Sequence, residues 1–460
     1  QSVAAAALAA ALAVAVFALV AWWRPAPSAL AGGGTPAGTP SGTSASTAFE
    51  PGGWPRVLLV LARSGGGTGV HVAGLARWLR QAGAGVRVAA PPDADQAFGL
   101  AATGADVRDV DIADRPRPCA DLVALRSLRQ LAAGSDVVHA HGLRAGALAV
   151  LAARARRRRP AVVVTVHNAV PVPAPQRAAG RPGAGAPALR EVAVRAAHGT
   201  LARIVARGAD HVLVVSGDLG DRMRALGARH VERALVPAPA RTPVADGATT
   251  RARLGLGSRA WLVVTVARLA PQKGLEVLLD ALALLRHRPV RAVVAGDGPL
   301  RAELAARINR DVLPVRLLGR RDDVADLLAA ADVVVVPSAW EGQPLIVQEA
   351  LRAGAAIVAT DVGGVAEVAG DGALLVPPGD PRALAETLAG LLDDPLTAGA
   401  LRARARARAT QLPTEHDAGS QVLAIYRGLA GSRPARRADP FRPSGGQGAD
   451  TLEARGITDS

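Results

Sequence analysis

Short apolar runs recur along this chain, and most are followed by a stretch in which apolar residues return at three- and four-residue intervals. Unbroken apolar runs of that length suit strands buried on both faces, and the second pattern suits helices lying across those faces. A chain that keeps repeating the pair has few folds open to it besides parallel sheets wrapped by helices. The first repeat is the fullest. Residues 57–61 read Val-Leu-Leu-Val-Leu, a glycine loop follows at Gly65, Gly66, Gly67 and Gly69, and Val70, Ala73, Leu75, Ala76 and Leu79 recur at helical spacing. Strand, glycine loop and helix in that order open a Rossmann-like unit.

Further strands are expected at 86–89, 136–140, 161–166 and 211–215, with helices around 143–154 and 218–226. A second series begins near Trp261. It has strands at 261–267, 291–295, 315–318, 332–336 and 356–359 and helices near 275–285, 300–308 and 344–352. At 460 residues the chain exceeds one compact core, and two doubly wound α/β domains account for it. We assign 56–245 to the first domain and 246–430 to the second, closed by a helical segment after Leu401. A stretch rich in Pro, Gly and Ala, 171–187, reads as an excursion from the first domain. Apolar residues make up 50% of the chain but aromatics only 2%, so the core has to be assembled from Ala, Val and Leu.

Residues 2–23 carry no charge and end in Trp22-Trp23-Arg24, an apolar span of bilayer length closed by interfacial aromatics and a cation. We read 1–24 as one transmembrane helix; Ala29-Leu30-Ala31 has the form of a cleavage site and keeps a secretory signal as the alternative. Arg24, Arg56 and the basic body favour a membrane-anchored protein with its folded domains on the cytoplasmic face. Residues 25–55 have the composition of a flexible linker, and 431–460 that of a disordered tail.

The net charge of +15 would suit nucleic acid, but it is spread over Arg-Ala repeats such as 402–408 with almost no aromatics to stack bases. We read it as compositional bias with some attraction to an anionic membrane, and expect no nucleic-acid partner. The run 156–159 reads as a solvated helix end. The single cysteine, Cys119, lies in a loop-like Arg-Pro-Arg-Pro-Cys stretch, which supports neither a disulfide, a metal cluster nor a thiol nucleophile.

Lysine and arginine total 54, and Lys273 is the one lysine among them. It lies in 264–274, Val-Thr-Val-Ala-Arg-Leu-Ala-Pro-Gln-Lys-Gly, where Arg268 follows a strand and Lys273 leads into a helix. In a parallel sheet that edge binds ligands, and two cations beside a helix N-terminus suit a diphosphate. An isolated pair of this kind also occurs as plain surface charge. The second pattern is Glu341-Gly342-Gln343-Pro344-Leu345-Ile346-Val347-Gln348-Glu349, a loop carboxylate before a Pro-initiated helix that carries another carboxylate more than a turn inside. Glu341 could accept sugar hydroxyls and Glu349 a pair of ribose hydroxyls.

With Ala295-Gly296-Asp297-Gly298-Pro299 and Thr360-Asp361-Val362-Gly363-Gly364, these motifs give the chain its resemblance to the family 4, or group 1, retaining glycosyltransferases of the GT-B fold. The resemblance covers 56–430 and implies two Rossmann-like domains facing across a cleft, here preceded by the transmembrane helix. It implies that Arg268 and Lys273 hold the donor diphosphate, that Glu341 with the amides of Gly342, Leu345 and Ile346 contacts the donor sugar, and that Glu349 binds the ribose. The glycine loop, through Gly67 and Gly69, matches the loop that approaches the donor phosphates. His141, at the end of Asp136-Val-Val-His-Ala-His, is the candidate for polarising the donor sugar or orienting the acceptor, and His167 is expected to line the acceptor side, while His139 is read as packed behind them.

One departure stands out. The family's usual Pro-Asn-Gly-Val-Asp before the interdomain joint is here Val236-Pro237-Ala238-Pro239-Ala240. No metal is expected, and Asp93, Asp95, Asp109 and Asp111 read as turn residues rather than as metal ligands. The implied activity is hexosyl transfer from a nucleoside diphosphate sugar, with no cofactor, to an acceptor hydroxyl on a lipid, a glycan or a small polyol in envelope synthesis. The alternatives are an inactive membrane-bound scaffold and a nucleotide-sugar epimerase of the same fold.

Overall fold

The computed structural model describes residues 54–63, 66–113, 117–154, 159–167, 189–257 and 260–431. The expected transmembrane segment, linker, 171–187 excursion and tail beyond 431 lie outside the described residues, as do 156–158. Among the described residues no helix is long and apolar enough to cross a membrane.

Two parallel sheets carry the molecule. The first holds β1 (Arg56–Leu61), β2 (Gly85–Ala90), β3 (Asp106–Asp109), β4 (Val137–His141), β5 (Ala161–Val166), β6 (His211–Val214) and β7 (Val231–Arg233), in the spatial order β3-β2-β1-β4-β5-β6-β7. The second holds β8 (Trp261–Val266), β9 (Val290–Ala295), β10 (Val315–Gly319), β11 (Val333–Val336), β12 (Ile357–Thr360) and β13 (Leu374–Val376), in the order β10-β9-β8-β11-β12-β13. The sheets therefore share one winding, which reverses between β1 and β4 and again between β8 and β11. In such sheets the crevice outside the carboxyl ends at the reversal receives ligands. His141 ends β4, and the glycine loop, Arg268 and Glu341 follow β1, β8 and β11, the other strands that flank these two reversals.

The expected strands are present to within a residue or two, because most are apolar runs buried on both faces; β4, β5, β11 and β12 are buried at every position, while β10, at the sheet edge, is only partly buried. The edge strands β3, β7 and β13 escaped the sequence reading. They are three or four residues long and partly exposed, as in Asp-Val-Arg-Asp and Val-Glu-Arg, so no apolar run announces them. Asp109 consequently ends a strand instead of a turn, while Asp111 pairs with Arg63 at 2.8 Å and Asp95 caps the Ala101 amide at 2.7 Å. Cys119 is exposed in the first turn of a helix, Pro118–Ala132, and not in a loop: Pro118 occupies the first helical position, where its missing N–H costs nothing.

Two readings of the C-terminal part need correction. The Arg-Ala repeat lies on the helix Pro395–Ala409 and does specific work there. Arg402 donates to the Asp332 carbonyl at 2.9 Å, and Arg408 donates to the Val368 and Glu367 carbonyls at 3.0 and 2.8 Å. Those last two carbonyls end a helix, where cations are favoured. The final helix, Glu415–Gly431, was expected to close the second domain, but Val422 and Tyr426 pack into the core of the first. Trp78 lies so close to Gly419 that a Cβ there would stand 2.1 Å from the indole.

Candidate functional site

The cationic loop after β8 is held by backbone-to-backbone contact. Gly274, at φ 60°, ends the short turn Pro271–Lys273, and a Cβ there would stand 1.9 Å from the Pro337 carbonyl oxygen. This contact brings Lys273 beside the loop that follows β11. The Asp297-Gly298 motif supports Arg268 in the same way: the Asp297 carbonyl accepts from the Leu269 amide at 3.0 Å. Arg268 itself is exposed.

Lys273 Nζ lies 2.5 Å from Glu341 Oε1, and the same oxygen accepts from Ser338 Oγ at 2.7 Å. Glu341 is 6% exposed, so its charge is largely withdrawn from water and is compensated by the lysine and the serine. Ser338, one residue past the Pro337 that follows β11, was given no role in the sequence. Next comes the helix Leu345–Arg352, with Pro344 at its N-cap position. Leu345 and Ile346 supply first-turn amides, which have no partner within a helix and carry the positive end of its dipole. Cation, carboxylate and helix end thus converge on one spot.

Glu349 lies one turn further along. Its side chain is 15% exposed and 3.9 Å from Arg241 Nε. Burial raises its carboxyl above the ordinary range, and Arg241 and Arg352 oppose the rise. The neighbouring Gln348, unremarked in the sequence, is fully buried. It accepts from the Ala238 amide at 3.0 Å and donates to the Val236 carbonyl at 2.8 Å. Arg352 adds a bond to the Ala238 carbonyl at 2.5 Å. The divergent 236–240 segment is therefore clamped by the same helix that carries Glu349.

Facing this charged edge, the first domain presents histidines. His139 and His141 lie two apart on β4, which points both rings to the same face. Their rings are 4.3 Å apart, His141 stacks on His167 at 5.4 Å, and His141 Nδ1 lies 3.2 Å from His167 Nε2. A fourth ring, His71 on the helix Gly67–Gln81, stands edge-on to His141 and His167 at 5.6 and 5.7 Å. Nothing in the sequence singled out His71 except its position just after the glycine loop. Burial alone holds His71 down to about 4; burial holds His139 down to about 3 and pushes His141 and His167 well below the ordinary range, with neighbouring rings adding to the effect in these three. All four are neutral at pH 7. His141 Nε2 is enclosed and has no hydrogen-bond partner among the described residues, which is rare for a buried ring nitrogen.

The edges meet at glycines. A Cβ on Gly342 would stand 2.6 Å from the His167 carbonyl oxygen, and one on Gly67 would stand 3.1 Å from Leu345 Cδ1. Gly69 does otherwise: its open side is filled by the Phe98 ring of its own domain, at 2.3 Å from where a Cβ would stand. Away from the histidines, Glu367 accepts from the Gly217 amide at 3.0 Å and pairs with Arg233 at 2.6 Å, and Trp340 Nε1 reaches Asp218 at 3.4 Å.

This arrangement has counterparts in known proteins. A glycosyl transferase 4-like domain profile matches residues 66–239, and a glycosyl transferases group 1 profile matches 260–394. The alpha-D-kanosaminyltransferase of Streptomyces kanamyceticus is 33% identical over 244 residues, 49% of this chain and 62% of that protein. D-inositol 3-phosphate glycosyltransferase 1 of Catenulispora acidiphila is 32% identical over 345 residues, 70% of this chain and 78% of that protein. Anabaena HepE, solved in complex with UDP-glucose, superposes with a TM-score of 0.66 over 81% of this chain and 99% of its own, at 23% identity, which speaks to the fold. With matching domain profiles, shared motifs and a relative covered over most of its length, the chain belongs to the group 1 glycosyltransferases, family 4 of the GT-B fold.

Proposed function

We propose that this chain transfers a hexosyl group from a nucleoside diphosphate sugar to an acceptor hydroxyl with retention of configuration. The observation that carries the reading is the Lys273–Glu341–Ser338 cluster at a helix mouth, brought against the neutral His141 and His167 by the contact at Gly342. A diphosphate entering there competes with Glu341 for Lys273. Arg268, Lys273 and the amides of Leu345 and Ile346 then oppose the charge that develops on the leaving phosphate. Glu341, released from the lysine, accepts sugar hydroxyls, and Glu349 accepts the ribose hydroxyls. The departing phosphate takes the acceptor proton on the face it leaves, so the reading needs no protein nucleophile, and no metal where two cations do that work.

His141, through its unpartnered Nε2, would hydrogen-bond the donor sugar, with His167 toward the acceptor. We extend the reading to a membrane-anchored enzyme of envelope glycan or glycolipid synthesis, with its domains on the cytoplasmic face. This part rests on residues 2–23 and the basic body. The test is release of nucleoside diphosphate from a panel of UDP- and GDP-linked hexoses by the full chain in detergent, with Lys273→Ala and Glu349→Ala beside it. Release that both substitutions abolish, with an anomeric product of unchanged configuration by NMR, supports the reading. Absence of both turnover and donor binding favours the inactive scaffold, and a changed sugar with no transfer favours the epimerase.

A further inference from the structure

The chain has one tyrosine, and among the described residues it is the largest fully buried side chain. Tyr426 lies on the final helix, Glu415–Gly431, 287 residues beyond the histidine it meets. Its hydroxyl stands 2.6 Å from His139 Nδ1, and His139 Nε2 stands 2.7 Å from Thr165 Oγ1. Both nitrogens of His139 are therefore engaged, and its ring can neither flip nor slide without breaking a buried hydrogen bond. The His141 ring lies against this fixed ring at 4.3 Å, with Nδ1 turned to His167 and Nε2 buried and without a hydrogen-bond partner among the described residues.

We propose that Tyr426 is a positioning residue for the transfer reaction: by fixing His139, it sets the orientation in which His141 presents its unpartnered nitrogen to the donor sugar. The proposal rests on the function proposed above. A phenylalanine would fill the same space, so packing alone does not account for the hydroxyl, and burial keeps that hydroxyl protonated and in need of a partner. The same helix reaches the interdomain crossover. Gln421 accepts from the Leu235 amide at 3.0 Å and donates to the Arg233 carbonyl at 2.7 Å, so the element that orients the histidines also grips the joint between domains.

The experiment compares Tyr426→Phe and Thr165→Val with the wild-type full chain, reading donor turnover, melting temperature and the imidazole nitrogen and carbon-bound proton resonances of His141. The proposal expects kcat to fall roughly tenfold, less than the hundredfold that misplacing a reacting group can cost. The donor KM should stay within about twofold of wild type, and the His141 resonances should move in both variants. A lower melting temperature with unchanged kcat, or unmoved His141 resonances, overturns it. If the wild type turns over no donor, the functional reading fails on its own account, and the His141 resonances still decide whether Tyr426 positions that ring. If Tyr426→Phe does not fold, Thr165→Val carries the same readout from the other side of His139.

Discussion

The two sheets share a winding and meet at their carboxyl edges, yet the edges are built from opposite materials. The first domain presents four imidazoles buried to neutrality, with no carboxylate or cation among their hydrogen-bond partners in the described residues. The second presents Lys273, Glu341, Arg268 and a helix N-terminus, partly open to water. A shared topology accordingly supplies two crevices but not their chemistry, which is set by the few side chains mounted at the strand ends. The contrast also assigns tasks: the charged edge suits a diphosphate, and the neutral edge suits hydroxyl groups that need orienting without being ionised.

Substitution at the charged edge should break this comparison most severely. Lys273→Ala is expected to lower turnover by about a hundredfold or more, or about 3 kcal/mol, because a preorganised donor to the leaving phosphate is lost. Steady-state kinetics with the best donor checks it, and a loss under about fivefold would remove the lysine from the chemistry.

The neutral edge should show itself in acid. An unfolded chain protonates His71 and His139 below about 6.5, whereas the folded chain resists protonation until about 4 and about 3. More protons are therefore bound by the unfolded state in that window. The stability these rings contribute is complete above pH 6.5 and is lost as the pH falls, by about 1.4 kcal/mol per unit for each of them. Urea unfolding between pH 7 and pH 4 measures the slope, and His71→Gln should reduce it by one histidine's share. An unchanged slope would show that the unfolded chain does not titrate as supposed.

The contact between the edges offers a smaller effect. Gly342→Ala inserts a methyl where only 2.6 Å separates it from the His167 carbonyl oxygen, so closure should suffer while each domain keeps its fold. Turnover is expected to fall about tenfold, with a larger radius of gyration in solution scattering. Smallest should be Arg408→Ala, outside the cluster of charges and histidines, which loses two backbone carbonyl contacts and about 0.5–1.5 kcal/mol of stability, with kcat unaltered. Thermal melts and donor turnover measured together would check it.

Legibility in the sequence followed the range of the interactions concerned. The buried strands and the motifs around Arg268, Lys273, Glu341 and Glu349 could be read because a strand, a glycine turn or a Pro-initiated helix leaves its mark within about ten neighbouring residues. The edge strands β3 and β7 left no mark, since partly exposed residues need not be apolar. The Arg402 and Arg408 contacts were equally hidden, because a helix lined with arginine looks the same whether its cations meet water or carbonyls. The packing at Gly69 was hidden too: a phenylalanine from the next helix stands where a Cβ there would be, and no local pattern announces it.

By itself, the sequence determined that this protein would form two parallel sheets and mount cations and carboxylates after particular strands, because period and turn chemistry are local. Only the tertiary structure decided that His71 joins His141 and His167, that Gln348 clamps the 236–240 crossover, and that Tyr426 reaches back across 287 residues to His139. Such contacts depend on how whole helices pack, and packing rewards shape and a satisfied hydrogen bond without requiring any pattern between residues so distant along the chain.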